Sequence, residues 1–337
     1  MRDILVIRFG ALGDLCVLGW ALARLRDESA AGSCRVTLVT KAAFAPLLAQ
    51  VRGVDEVIAL EGTSVAAVAK LAGRLRQRPW TLVVDAHNTL RSRLLLGLWG
   101  RRPDVRLAKD TAARLAFMVL GRPHARLALR MRDRFDTLFA ALRNKSDGGP
   151  TAPPLSHLRS PAAPVPRIGL APGAQWETKR WPEEYFATLL AQHQSRGGAG
   201  VRIFLGPRER TWFAGSALAR AAAEAAGAEI VEAADLTAVA SSLAEVSVLV
   251  TNDSGLLHLA EAVGTPVLAL FGPTVREFGY YPLLDRSQVL EQDLSCRPCS
   301  RNGKRPCHRG DLACLRSISP AEVLAALDAA TQPGGAQ

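Results

Sequence analysis

VTNDSGLLHLAEAVGTPVLALFGPT, residues 250–274, decides the architecture. The run SVLVT that leads into it (247–251) is apolar and β-branched, as a strand covered on both faces is. Asn-Asp-Ser-Gly (252–255) is turn and helix-cap chemistry. LLHLAEAVG then reads as a helix closed by Gly264, and PVLALF as a second buried strand. Such a strand–helix–strand unit belongs to a parallel sheet, and its polar residues gather where strands end, the place where open α/β sheets bind ligands. Two readings stay open on these residues alone. One is a well-capped helix with His258 in the core. The other is a ligand loop of Asp253, Ser254, Gly255 and His258, completed by Gly272, Pro273 and Thr274.

The same alternation extends to both sides. ILVIRF leads through GALGD into the helical pattern LCVLGWALARLRDE, and RVTLVT, a helix around Phe44 to Val51 and EVIAL follow. SVAAVAKLAGRLRQ then precedes the strand TLVVDAH. The Pro-, Gly- and Ser-rich stretch DGGPTAPPLSHLRSPAAPVP (147–166) interrupts the pattern as a linker does. It restarts with RIGLAPG, the helix WPEEYFATLLAQHQSRG, VRIFLG, an Ala-rich helix over 211–226, EIVEA and a short helix over 236–244. SPAEVLAALDAAT, with a Ser cap and Pro320 in the first turn, is a last helix. The pattern predicts an α/β protein of two Rossmann-like domains, residues 1–150 and 167–337, joined by a linker over 151–166 and facing each other across a cleft.

The chain has 337 residues, 48% of them hydrophobic, and a net charge of +11. Residues 1–150 hold 25 Lys/Arg against 13 Asp/Glu, whereas residues 151–337 hold 17 against 18. The excess therefore lies wholly in the first half. It points either to an anionic partner meeting that half, nucleic acid or an acidic membrane surface, or to a merely soluble Arg-rich face. Against nucleic acid, only 6% of residues are aromatic and the basic segments 91–106 and 126–135 hold just one each, Trp99 and Phe135, so stacking platforms are not expected. No apolar run has membrane-spanning length and MRDILVIRFG lacks a signal-peptide layout, so a cytoplasmic protein is expected.

The loops carry the chemistry. After the first strand come Gly10 and Gly13, which let a ligand approach the backbone, and Asp14, either a helix N-cap or a general base at a strand end. This is no dinucleotide fingerprint, because the G-x-G-x-x-G spacing is absent and the second strand ends at Lys41 where a ribose-binding acid would stand. After RIGLA, Lys179 and Arg180 lie just before the helix opened by Pro182, as a solvated basic loop or as cations for a diphosphate. Glu209, after VRIFLG, is either an ordinary helix-start acid or a holder of ribose hydroxyls.

These segments resemble glycosyltransferase family 9, the ADP-heptose:lipopolysaccharide heptosyltransferases. ILVIRFGALGDLCVLGWALARLR is similar to the family's opening strand–loop–helix, APGAQWETKRWPEEYF to its donor-domain entry, and VTNDSGLLHLAEAVGTPVLALFGPT to its D-[ST]-G-x-x-H…GPT signature. The resemblance implies a GT-B fold and an inverting transfer of heptose from ADP-heptose to the lipopolysaccharide inner core that needs no catalytic metal. It implies Asp14 as general base and Lys179 at the donor phosphates. Asp253, Ser254, Gly255 and His258 fall in the donor loop, Gly272 to Thr274 beside the diphosphate, and Glu209 near an acid that contacts the nucleoside. Ala174 and Gln175 depart from the small hydroxyl residues that some members carry there. A different activated sugar, or a protein or other glycan as acceptor, is the alternative within the class. A nucleotide-sugar-binding protein without turnover is the alternative outside it. The acceptor so implied is anionic and presented at the cytoplasmic face of the inner membrane, which suits the basic segments 91–106 and 126–135 and a peripheral position. His87, Asn88 and Arg91, after TLVVDAH, are the acceptor-side candidates.

Cys296, Cys299, Cys307 and Cys314 form C-x2-C-x7-C-x6-C. Four thiolates in one short loop suit a structural zinc or iron ion, with His308 as an alternative fourth ligand, and free thiols or an opportunistic disulfide are the other readings. The segment reads as accessory to the transfer.

Overall fold

A computed structural model describes residues 1–30, 32–143, 151–159, 167–198, 200–232 and 235–331. The linker expected over 151–166 lies outside these from residue 160 onward. Eleven strands are described: β1 (Arg2–Ile7), β2 (Cys34–Lys41), β3 (Glu56–Leu60), β4 (Leu82–Asp85), β5 (Val105–Arg106), β6 (Ile168–Ala171), β7 (Val201–Leu205), β8 (Ala228–Glu232), β9 (Val248–Asn252), β10 (Val267–Phe271) and β11 (Gln288–Glu291). They form two sheets, of order β3-β2-β1-β4-β5 and β11-β10-β9-β6-β7-β8, with every pairing parallel.

Parallel strands fed by crossover helices are buried on both faces, which is why they read as unbroken apolar runs. Ile4, Leu5, Val6 and Ile7 of β1 have no exposed surface, and every residue of β9 and β10 is buried. Each order reverses direction once, between β1 and β4 in the first sheet and between β6 and β9 in the second. At such a switch point neighbouring loops leave the sheet in opposite directions and open a crevice beyond the strand ends. The opening stretch of sequence is thus β9, the helix Gly255–Ala262 and β10, with β9 beside the switch point.

The described chain packs as two compact units, Met1–Ala112 with Leu129–Leu155 and Ala113–Ala128 with Ser156–Gln337. Residues 113–128, which chain order puts in the first domain, thus pack with the second. Phe117 and Leu127 bury themselves against Phe278, and the Arg114 guanidinium donates to the Phe278 carbonyl at 2.9 Å. The Ala-rich stretch 211–226 is two helices, Arg210–Phe213 and Ala217–Glu224. The second starts afresh at Ser216, whose hydroxyl accepts from Ala219 N, while the Glu183 carboxylate accepts from the amides of Ala217 and Leu218. Among the described residues no helix is long and apolar enough to cross a membrane.

Candidate functional site

In the second unit, loops from neighbouring strand ends meet at one carboxylate. The Lys179 ammonium, from the loop after β6, lies 2.5 Å from Oδ2 of Asp253, directly after β9. The Thr274 hydroxyl, after β10, donates to the same oxygen at 2.6 Å. The Lys179 and Asp253 side chains are only 13% and 9% exposed. Burial pushes the Asp253 carboxyl up, but the Lys179 charge and hydrogen bond, the Thr274 hydroxyl and the nearby His258 outweigh it and hold the group below the usual carboxylate value.

The local sequence explains the convergence. The Asn252 side chain accepts from Trp181 N at 2.9 Å and donates to the Pro172 carbonyl at 2.8 Å, tying the loop after β6 to the end of β9. Trp181 is fully buried, donates its indole N–H to Ile318 O and meets Tyr185 and Phe186 edge-on, so the chain just after Lys179 and Arg180 is pinned. Arg180 donates to Ala174 O at 3.0 Å. Ser254 is the N-cap of the helix Gly255–Ala262, its hydroxyl accepting from Leu256 N. His258, on that helix, is buried with its ring against Tyr280. Gly272 and Pro273 are buried with Thr274, and a Cβ on Gly272 would stand 2.9 Å from Leu315 Cγ and 3.2 Å from Thr178 O, so only glycine allows this turn to lie so close. Glu209, one strand over after β7, is buried, and a Cβ on Gly173 would come within 2.5 Å of its carboxylate.

The cysteine segment is packed onto this site. Arg297 donates to Gly272 O at 2.6 Å and Thr274 O at 2.8 Å, and pairs with Glu291 at the end of β11. Thr178 donates to Gly303 O, and a Cβ on Gly303 would press on the Lys179 stem at 2.8 Å. Neither Arg297 nor Gly303 stands out in the sequence, because both lie in a segment without periodicity. None of the six cysteines is in a disulfide. Burial, reinforced by Cys296 and Cys307, raises the Cys299 thiol, and burial with Cys299 pushes Cys314 up to about 11. Among the described residues no group of three or more His, Cys, Asp or Glu is arranged to hold a metal ion, so the zinc or iron expectation gains no support from the geometry.

In the first unit, Asp14 is not a cap. The N-cap of the helix Leu12–Glu28 is Ala11, and Asp14 is its third residue, with Gly13 before it. Its carboxylate pairs with the Arg8 guanidinium at 2.7 Å, and Arg8 is buried, donating to Ala86 O and lying over the Phe135 ring. Arg8 is the partner that sequence reading missed, although it stands six residues before Asp14. Gly10, at φ +144°, holds a backbone conformation that L side chains rarely adopt, beside Phe44. At the end of β4, Asp85 is fully buried and accepts from His87 N, Asn88 N and Ser92 Oγ, shaping the turn that carries the other candidates. Burial and then the Arg8 charge push His87 down to about 4, so it is a neutral imidazole at pH 7. The Asn88 amide donates to Leu107 O and accepts from Arg93, so its side chain serves the backbone of its own loop. Arg91 lies in the first turn of the helix Leu90–Trp99, half-exposed.

Two parallel Rossmann-type sheets, each with polar side chains gathered at its switch point, define the GT-B class of architecture. In agreement, the chain is similar to the E. coli ADP-heptose lps heptosyltransferase II structure, with a TM-score of 0.71 at 22% identity over 98% of both chains. It is also similar to E. coli heptosyltransferase WaaC with ADP, with a TM-score of 0.73 at 20% identity over 98% of this chain and 100% of that one. The chain belongs to glycosyltransferase family 9 (heptosyltransferase), whose sequence pattern matches residues 68–308. It is 32% identical over 241 residues to lipopolysaccharide heptosyltransferase 1 of Pseudomonas aeruginosa, an alignment that takes in 67% of this chain and 63% of that protein. It is 33% identical over 129 residues to lipooligosaccharide heptosyltransferase 2 of Haemophilus influenzae, covering 37% of this chain and 36% of that one. The matched part thus spans less than two thirds of the length of these relatives.

Proposed function

We propose that this chain is an inverting glycosyltransferase that moves a heptose from ADP-heptose to a hydroxyl of the lipopolysaccharide inner core. The observation that carries the reading is the convergence of Lys179 and Thr274 on one carboxylate oxygen of Asp253 at neighbouring strand ends, in a chain of the heptosyltransferase family. The relatives' names supply the sugar and the acceptor class.

In this reading Lys179 and Arg180 meet the donor diphosphate with the help of the amides at the start of the helix Gly255–Ala262 and the turn Gly272–Thr274. Glu209 takes the ribose hydroxyls. Ser254 and His258 shape the donor loop around Asp253, whose task is to hold Lys179 in place. On the first unit Gly10, Gly13, His87 and Arg91 surround the acceptor, and Asn88 keeps their loop in shape. Asp14 takes the proton of the acceptor hydroxyl while that oxygen attacks the anomeric carbon. The bond from that carbon to the ADP oxygen breaks on the opposite face, and ADP leaves with the electron pair. Cations and backbone dipoles already in place meet the charge that develops on it. Written so, the transfer calls on no metal or cofactor. Arg8 is the positioning partner of the base, since its buried guanidinium fixes the direction of the Asp14 carboxylate. An acidic, lipid-borne acceptor also accounts for the surplus of cations in residues 1–150 and suits a peripheral place at the cytoplasmic face of the inner membrane.

Calorimetric titration with ADP, UDP, GDP and NAD tests the donor half, with selective ADP binding expected. Preference for UDP or GDP would keep a glycosyltransferase and remove the heptose. Asp14→Ala is expected to lower turnover by at least about 100-fold with ADP affinity nearly unchanged. Equal loss of both would make Asp14 structural.

A further inference from the structure

The second half of the chain is acidic but for one segment. Residues 294–310 hold five Lys/Arg and no Asp or Glu, whereas the rest of residues 151–337 holds 12 Lys/Arg against 18 Asp/Glu. Two of the five cations are paired, Arg297 with Glu291 and Arg309 with Asp311. Arg301, Lys304 and Arg305 are exposed and, among the described residues, form no ion pair. They stand on a built turn. The buried Ser300 hydroxyl accepts from Gly303 N at 2.9 Å and from Arg305 N at 3.3 Å, and the Asn302 side chain accepts from Lys304 N at 3.2 Å. The turn is seated on the loop after β6. Thr178 donates to Gly303 O, the Lys179 stem lies against Gly303, and the Lys304 ammonium stands 6.0 Å from the centre of the Trp176 ring.

Like charges held together on one pinned turn repel each other and draw anions to the place. The donor is not the anion they lack, because its diphosphate already has Lys179, Arg180 and the neighbouring amides. The acceptor is. For transfer its hydroxyl must come to the anomeric carbon, which hangs on that diphosphate, so acidic groups near the hydroxyl come within reach of cations beside Lys179. A guanidinium fork matches a carboxylate or a phosphate with two parallel hydrogen bonds, and an ammonium adds a point charge. We propose that Arg301, Lys304 and Arg305 form an anion-binding site on the second unit that takes a carboxylate or phosphate group of the acceptor. The site deepens the function proposed above, since it names the chemistry by which the acceptor is selected, and it rests on that function.

The test is calorimetric titration of the full, ADP-saturated chain with the deacylated, water-soluble carbohydrate of lipopolysaccharide that lacks heptose. The wild type is expected to bind it. The triple variant Arg301→Gln, Lys304→Gln, Arg305→Gln should bind it at least about tenfold more weakly at low salt, and the gap should narrow as salt is raised. The same carbohydrate with its phosphates removed and its carboxyl groups reduced should bind both proteins alike. ADP affinity of the triple variant should stay within about twofold of wild type, which shows that the fold is kept and separates this site from the donor's. Undiminished binding of the acidic carbohydrate by the triple variant overturns the proposal. So does an equal loss of ADP and carbohydrate, which would give the three cations to the donor, and so does a wild type that binds ADP but not the carbohydrate. Absence of selective ADP binding in the wild type would remove the proposed function, and this site with it, and that failure is read from the ADP titration alone.

Discussion

Removing Lys179 alone from the Lys179–Asp253 pair should cost more than removing both partners. Lys179→Met leaves the Asp253 carboxylate buried without its cation, and breaking a buried pair in this way costs about 3–5 kcal/mol. The 13% exposure of the Lys179 side chain lets some water reach the site, which favours the lower end, about 3 kcal/mol. Asp253→Asn keeps an oxygen for Thr274, and the freed ammonium can turn toward solvent, so about 1.5 kcal/mol is expected. The double variant holds no buried charge and should cost only about 1–2 kcal/mol, well short of the sum, giving a coupling of about 3 kcal/mol in a double-mutant cycle of urea unfolding. Acid supplies an independent check. The Asp253 carboxyl lies below its ordinary value in the fold, so its contribution is present above the unfolded pKa, about 3.9, and is lost as pH falls through the lowered folded value. The gap between wild type and Asp253→Asn should therefore be flat from about pH 5 to 8 and shrink below about pH 4. In calorimetry Lys179→Met should also weaken ADP by about tenfold or more, the worth of one charge-assisted contact. Strictly additive single and double variants, with Lys179→Met costing under about 1 kcal/mol, would mean that the pair does not form in solution and would refute the reasoning.

Arg297→Met removes the donors to the carbonyls of Gly272 and Thr274 and should cost about 3 kcal/mol in unfolding while weakening ADP at least as much as a loop substitution elsewhere; unchanged ADP affinity would detach the segment from the site. Gly173→Ala puts a methyl group within 2.5 Å of the Glu209 carboxylate and should lower ADP affinity about tenfold, with a smaller loss for the base-free ribose phosphate if Glu209 does not hold the ribose. The His87 imidazole should titrate near pH 4 in an NMR pH series. Because the folded chain resists that proton and the unfolded chain accepts it near pH 6.5, stability should fall as pH drops from about 6.5 toward 4, and His87→Asn should flatten that slope; a midpoint near 6.5 would show that the ring is neither buried nor facing Arg8.

Much of this was legible because burial on both faces writes a parallel strand into the sequence as an apolar run, and strand ends mark the loops that matter. Lys179, Asp253 and Thr274 were each readable for that reason. Their meeting was not, because it depends on strand order: β6 and β9 are neighbours only through a pairing that skips β7 and β8. The short strands β5 and β11 escaped notice, one being two residues long and the other, Gln288–Glu291, only half-buried. The segment RSRLLLGLW reads as a basic stretch, yet its first turn closes a capping box between Thr89 and Ser92 and makes a helix. Alanine at 211–226 promised one long helix, and what breaks it, the Glu183 carboxylate on the amides of Ala217 and Leu218, lies more than thirty residues away. Local propensity yields to a distant partner that no window of sequence contains.

The cysteine segment shows the same limit in its sharpest form. From spacing alone it is a loop with four thiols that stands apart from the transfer. Folded, it has little regular structure between Glu291 and Ala313, yet Arg297 and Gly303 bind it to the turn after β10 and to the loop after β6. Segments of this kind sit at the low end of local stability, because few backbone hydrogen bonds hold them. The Thr274 hydroxyl that reaches Asp253 is carried by a turn whose carbonyls are held by Arg297, and the Lys179 stem rests on Gly303. The order of Lys179 and Thr274 is therefore tied to the order of the loop, and whatever fraction of molecules has the loop displaced is a fraction with both out of place. In the proposed function, apparent nucleotide affinity falls by that fraction. On that proposal, whatever stiffens the loop raises the affinity without touching the nucleotide, and the cysteines of that loop enter an account of the proposed donor site.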